Sequence, residues 1–381
     1  MTGDDSKGGS RGQMRVKEVY TYPIKSIRGI SLPSLSATYK GFPHDRHFML
    51  YSVSKNQNMH IAMFTEMCLF TTQFDDNAAP TKLLVSYAKD YAFARPEVKI
   101  DDGRDSLEID LAPDTQVLAP FEITMHSSPV VAYDMGKQVN DWFSLRFGHE
   151  VKLLYIGSST RKVLGNVSPT VAGQQRDGLR TGSASAEAKP AGSWLGSITS
   201  TANSLLTSVM GKQYEGEDHG ISFADVAPYL VISSTSWENA QRRLDGTGEL
   251  LDISKFRPNI IVEGAEAEWE EDFWAELVVG EQNAKFVLTQ NCARCNSLNV
   301  DYETGQVGKG EAGKILKKLN SDRRVDPGLK WSPVFGRYGF LAKLGPGKEA
   351  IDIAVGDEVQ VARRNTDRTE FEWPNLSTNN K

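Results

Sequence analysis

NCARCNSLNVDYETG, residues 291–305, holds two of the three cysteines in a chain of 381 residues. A strand-like FVLTQN precedes the pair and an acidic, turn-forming segment follows it. A closed zinc site takes four Cys or His ligands. Cys292 and Cys295 supply two, and the six histidines (His44, His47, His60, His126, His149, His219) show no H-x₃₋₅-H spacing. A thioredoxin-like redox pair needs a helix directly after the motif, and Val-Asp-Tyr-Glu-Thr-Gly reads as a turn. Two readings stay open on the local residues: a pair of ordinary half-buried cysteines, or one thiolate ligand to a soft metal. Arg294 beside Cys295 favours the thiolate form. One thiolate is a poor cage, so the second reading requires a cofactor that brings its own ligands.

Composition bounds the rest. Net charge is −6, with 39% hydrophobic and 24% charged residues, an ordinary globular balance. It lacks the basic field that nonspecific nucleic-acid binding requires. Three cysteines make no disulfide framework and fit a reducing compartment. Cys68, in IAMFTEMCLF, reads as a small hydrophobe. No run of 18 apolar residues is present, so no transmembrane helix is expected. The polar, Gly-rich start resembles neither a signal nor a transit peptide.

Along the chain, residues 1–13 read as a disordered tail and 14–157 as a mostly β domain. FMLYSV (48–53), KLLVSYA (82–88) and VKLLYIG (151–157) are its strand candidates, and VNDWFSLRFG (139–148) has helical spacing. Residues 158–218 form a low-complexity, flexible insertion. Within it, 193–210 carries an uncharged apolar stripe from Trp194 to Met210, the pattern of an interfacial helix. From 219 to 365 order resumes: APYLVISS, FRPNIIVEG, FWAELVVG and AKFVLTQN read as strands. Ser236 is the expected N-cap of the helix WENAQRRL, 313–324 is amphipathic, and AIDIAVGDEVQVARR suggests closing strands. Residues 366–381 look like a frayed tail. The fold class expected is α+β, mostly β, with two barrel-like domains around the insertion.

Several basic residues sit where chain ends and turns hold anions. Lys25 and Ser26 follow a strand in YPIKSIRG. Arg46 lies between Asp45 and His47, and Arg257 and Asn259 flank a proline in FRPN. Singly, each basic residue is a surface charge. Together they read as a phosphate clamp.

YPIKSIRGI, DRHFMLY, FADVAPYLVIS, FRPNIIVEG, FWAELVVG, CARCNSLNVDYETG, SPVFGRYGF and VGDEVQV, in this order, resemble the MOSC-domain proteins with an N-terminal β-barrel module. Among these the chain is similar to the mitochondrial amidoxime-reducing component family. The resemblance implies a molybdenum-pterin cofactor, with neither zinc nor an iron–sulfur cluster. Cys295 matches the molybdenum ligand and Cys292 its non-ligating partner. Lys25, Ser26, Arg46, Arg257, Asn259, Ser233 and Tyr338 match cofactor contacts, and Ala293 and Arg294 flank the ligand. It further implies reduction of N-hydroxylated substrates with electrons from a b-type cytochrome and its flavin reductase. The rival is a cofactor carrier or sulfur-transfer protein using Cys295. Tyr302 replaces the family's proline and is expected to loosen a turn, while Asn296 and Ser297 make the rim of the site more polar. The expected location is intracellular, either cytoplasmic or peripheral on a mitochondrial or other membrane. There the 193–210 helix would replace the N-terminal anchor of the animal enzymes.

Overall fold

The structure, a computed structural model, describes residues 13–88, 103–165 and 219–378. Strand dominates. An eight-stranded sheet runs in the order Ile30–Leu32, Arg15–Thr21, Ile260–Glu263, Tyr229–Ser233, Val334–Leu341, Ala284–Ala293, Trp274–Val279, Val359–Arg364. Its central strands are buried on both faces: every residue of Tyr229–Ser233 is buried, as are eight of the ten in Ala284–Ala293. Such strands read as continuous apolar runs rather than as alternation. Tyr229–Ser233 and Ile260–Glu263 pair in parallel, a geometry that requires a crossover, and helix Ser234–Arg242 lies on that connection.

A five-stranded sheet (Gln57–Asn58, Phe48–Ser52, Val151–Tyr155, Ser128–Asp134, Ala119–Met125) and a three-stranded one (Phe70–Phe74, Lys82–Tyr87, Ser106–Asp110) build the N-terminal half. The halves interlock. Arg15–Thr21 inserts beside Ile260–Glu263 in the large sheet, and Ser34–Thr38 pairs with Ala350–Ala354. One apolar core runs from Val16 through Phe70 and Trp142 to Phe286 and Val359.

The structure corrects four local expectations. Residues 158–165 belong to the folded body. Arg161 is fully buried, exchanges backbone hydrogen bonds with Ile221, and donates to the carbonyls of Met125, Ser222 and Ala224. The expected helix at 193–210 lies outside the described residues. The C-terminal segment is not frayed through 377, because Phe371, Trp373 and Ser377 are buried. Ser236 is not the cap: the helix begins at Ser234, with Ser233 at the N-cap position. Ser236 instead accepts from Trp269 N (2.7 Å) and donates to Glu271 (2.6 Å). Its helix is thereby tied to the short helix Glu270–Phe273. Helical structure in 313–324 is also shorter than its pattern, since α-helix covers only Ile315–Asn320. Among the described residues no helix is long and apolar enough to cross a membrane.

Glu271 is fully buried, and its second carboxylate oxygen has no partner. Burial, then the adjacent Asp272, pushes its carboxyl up to about 7 from an ordinary 4.5. The fold therefore holds a proton that the unfolded chain releases as pH rises above 4.5. Its stabilising contribution is complete below that value and is lost as pH rises through about 7. Glu271→Gln stays neutral at every pH. Its melting temperature should gain on wild type between about pH 5 and 8, by the equivalent of about 3 kcal/mol at most. A pH-independent difference between the two melting curves would contradict a protonated Glu271.

Candidate active site

The strand Ala284–Ala293 ends in irregular pairing. Its register against Val334–Leu341 shifts between Leu288 and Gln290 and again between Asn291 and Ala293. Bulges of this kind re-aim the side chains that follow. Asn291 anchors the end of the strand. Its amide donates to Asp326 (2.8 Å) and to Thr369 O (2.9 Å), and it accepts from buried Arg337 (2.8 Å). Cys292 and Cys295 therefore leave the strand in different directions. Cys292 is 2% exposed within an apolar cluster of Leu230, Ile232, Phe256 and Phe335. Burial pushes its thiol up, while Arg294 pulls the other way. Cys295 is exposed, carries no disulfide, and starts the short helix Asn296–Asn299 with Ser297 Oγ 3.2 Å from its sulfur.

Arg294 does not lie open beside Cys295. Its guanidinium is buried and donates to the carbonyls of Phe335 and, at 2.6 Å, Phe256. It stitches the ligand loop to the segment that carries Arg257. Ala293 faces Val334 across the sheet. Tyr302 lies in a turn in which Gly305 N donates to Asp301 O at 2.9 Å. Its ring is buried beneath the cations of Arg28 and Lys255.

Arg46, Arg257 and Asn259 converge on one knot, and Lys25 joins it through the chain. Asp45, 2% exposed, accepts from Tyr22 N (2.8 Å) and Asn259 Nδ2 (3.1 Å) and pairs with Arg46. Asn259 Oδ1 accepts from Arg46 (3.2 Å) and from Leu230 N (3.1 Å), and its amide also donates to Tyr20 O (3.2 Å). Both ends of the Asn259 amide are thus engaged within the protein, and its work is to hold Arg46 and Asp45. Arg46 and Arg257 lie 4.8 Å and 4.3 Å from the centre of the Tyr22 ring, a cation–π arrangement. Gly29 lies against the same ring, where a β-carbon would come within 2.5 Å of it. Lys25, two residues from Pro23, hydrogen-bonds through its backbone to Phe48 O. Its ammonium donates to Phe223 O (3.1 Å) and pairs with Asp225.

Three of these residues, Ser26, Arg46 and Arg257, have left-handed backbone (φ 67°, 55° and 55°). Non-glycine residues hold that conformation only where their surroundings impose it, and such strain clusters at ligand sites. Two buried donors have no partner: Arg257 Nη2 and Ser233 Oγ. Burial, then the neighbouring Arg46, holds the Arg257 guanidinium below its ordinary value. A bound anion would relieve both effects. This donor set has the chemistry to hold a phosphate group.

Asp225 is open to solvent, with its side chain 49% exposed. Burial works against it, but Lys25 and His126 hold its carboxyl well below the carboxylate range. Tyr338 is partly buried between two apolar clusters, and burial raises its phenol well above the ordinary value. Sequence reasoning missed Tyr22, Asp45 as a hub, and His126. The Asp-Arg dipeptide at 45–46 was the available signal for Asp45; nothing local marks His126.

Two family models match the chain: the MOSC N-terminal beta barrel domain over residues 13–150 and the MOSC domain over 218–360. The mitochondrial amidoxime reducing component 2 of Rattus norvegicus is 35% identical over 147 residues, 38% of this chain and 39% of that protein. The human protein of the same name is 33% identical over 143 residues, 36% and 38% of the two chains. The molybdenum cofactor sulfurase of Arabidopsis thaliana is 26% identical over 353 residues, 90% of this chain but 35% of that protein. The aligned region thus spans less than two fifths of these relatives. Among solved structures, YiiM from Geobacillus stearothermophilus matches with 14% identity and a TM-score of 0.25, over 38% of this chain and 58% of that one. The chain belongs to the MOSC-domain proteins and carries the MOSC N-terminal beta barrel domain ahead of the MOSC domain.

Proposed function

We propose that this protein is a molybdenum-cofactor-dependent reductase of N-hydroxylated compounds that receives its electrons from a separate donor protein. The observation that carries the reading is the pairing of an exposed, unbridged Cys295 with a strained cationic clamp built from both ends of the chain. The relatives named amidoxime reducing components support the substrate class. In this reading the donor chain is a b-type cytochrome and its flavin reductase, as the family resemblance implies.

In this reading Lys25, Arg46 and Arg257 hold the cofactor's phosphate and pterin, with Ser26 and Ser233 as neutral donors. Cys295 supplies the protein's ligand to the metal. When bound, the cofactor supplies oxygen-atom abstraction and two-electron redox chemistry. The chain contributes position and charge. Tyr22 and Asp45 fix the two guanidiniums, so little reorganisation accompanies binding. Arg294 fixes the loop that presents Cys295. Cys292 stays a buried thiol and packs.

A second reading, a cofactor carrier or sulfur-transfer protein using Cys295, draws on the sulfurase relatives, whose alignments cover about 90% of this chain. Turnover separates the two. Purified protein with full molybdenum occupancy, a reduced dye and an amidoxime should consume the amidoxime; full occupancy without turnover favours the carrier.

Cys295→Ser should abolish reduction, whereas Cys292→Ala, which keeps the apolar packing, should retain much of it. Equal losses in two folded, cofactor-loaded variants would remove the assignment of the ligand. Replacing Arg257 by Ala deletes one charge-assisted contact, worth roughly 1.5–3 kcal/mol. Molybdenum retained after gel filtration should then fall about tenfold or more. Unchanged retention would place the phosphate elsewhere.

A further inference from the structure

The strands Ala119–Met125 and Ser128–Asp134 are joined by a two-residue turn, His126-Ser127, with Met125 opposite Ser128. Both turn residues have positive φ (51° and 63°). This conformation favours Asn-Gly, and histidine and serine hold it only under restraint. The restraint is visible. Trp373, fully buried, donates its indole N–H to His126 O at 2.7 Å, and Asn375 donates to Ser127 Oγ at 2.9 Å. Arg161 donates to Met125 O at 3.0 Å, and Ser128 Oγ donates to Lys162 O at 3.0 Å. The turn is strapped from two sides, and the imidazole is left partly exposed beside Asp225. Its Nε2 lies 3.2 Å from Asp225 Oδ1, with 30% of the side chain exposed. Three charged or titratable groups interact with it there: Asp225, Lys25 behind it, and His60.

We propose that His126 is the residue that delivers a proton to the oxygen leaving the substrate, with Asp225 positioning its ring and Lys25 positioning Asp225. This rests on the reductase reading above. Reduction of an N-hydroxylated compound breaks the N–O bond, takes up two electrons and two protons, and releases water. The electrons come from the external one-electron donor protein. One proton passes from the His126 imidazolium to the departing oxygen, the second comes from solvent, and the exposed ring is reprotonated from solvent. The neighbours are unsuited to this task. Asp225, ion-paired to Lys25, is a carboxylate that accepts hydrogen bonds. The Tyr338 phenol is raised well above its ordinary value by burial. The Lys25 ammonium, assigned above to the cofactor, pairs with Asp225 and donates to Phe223 O. Imidazole is the side chain whose chemistry exchanges protons near neutrality.

Asparagine suits this turn better than histidine, so His126→Asn should hold or raise the melting temperature and leave molybdenum content unchanged. With an aryl amidoxime and reduced viologen, its kcat should fall about a hundredfold, and the pH–rate profile should lose one limb. Added imidazole should restore part of the rate in His126→Ala. Asp225→Asn should lower kcat while KM and molybdenum content stay unchanged. Wild type that is fully loaded yet inactive overturns the reductase reading, and this inference with it. An active wild type with an equally active His126→Asn overturns this inference alone. So does a rate loss matched by cofactor loss, without imidazole rescue. An Asp225→Asn variant that keeps the wild-type kcat removes the positioning role of Asp225.

Discussion

The site depends on one buried carboxylate. Asp45 accepts a backbone N–H from Tyr22 and an amide N–H from Asn259 and pairs with Arg46. It therefore ties three segments that lie far apart in the chain. A buried carboxylate is costly unless its oxygens are satisfied, so the three segments must arrive together for any of them to be stable. The same condition places Arg46 beside Arg257. Two guanidiniums in one recess repel, and the Tyr22 ring between them offsets part of that repulsion. An arrangement of this kind is poised for an anion before one binds.

The cations are also held by strained backbone. Ser26, Arg46 and Arg257 are all left-handed, as is His126. None is glycine, and no local propensity favours these angles. They persist because fully buried neighbours leave no alternative, as Trp373 does for His126 and the Asn259 amide for Arg46. Rigidity at the site thus comes from the shared core beneath it, which the N-terminal strand Arg15–Thr21 helps to close.

The two cysteines illustrate how three residues of spacing separate two roles. The irregular pairing at the end of Ala284–Ala293 turns Cys292 into the apolar cluster and sends Cys295 out into solvent. Arg294, read from sequence as an activator of the neighbouring thiol, spends its guanidinium on the carbonyls of Phe256 and Phe335. Its contribution is to fix the loop.

By itself, the sequence determined the strand content, the order of the motifs and the chemical types that the site needs. Apolar runs such as YLVIS and AKFVLTQNCA become central strands because burial on both faces demands such runs. The candidates Lys25, Arg46, Arg257 and Cys295 could be picked out because cations beside strand ends and a Cys-x-x-Cys pair are local signals. Tertiary structure alone decided that Asp45 is a hub, that Asn259 holds Arg46 through an amide occupied at both ends, that Ser236 serves Glu271 rather than capping its helix, and that residues 366–378 strap a hairpin instead of fraying. The physical reason is common to all four. A polar group's role follows from which buried partner satisfies it, and those partners lie at sequence separations that no local pattern encodes: Asn259 with Asp45, Glu271 with Ser236, Trp373 with His126.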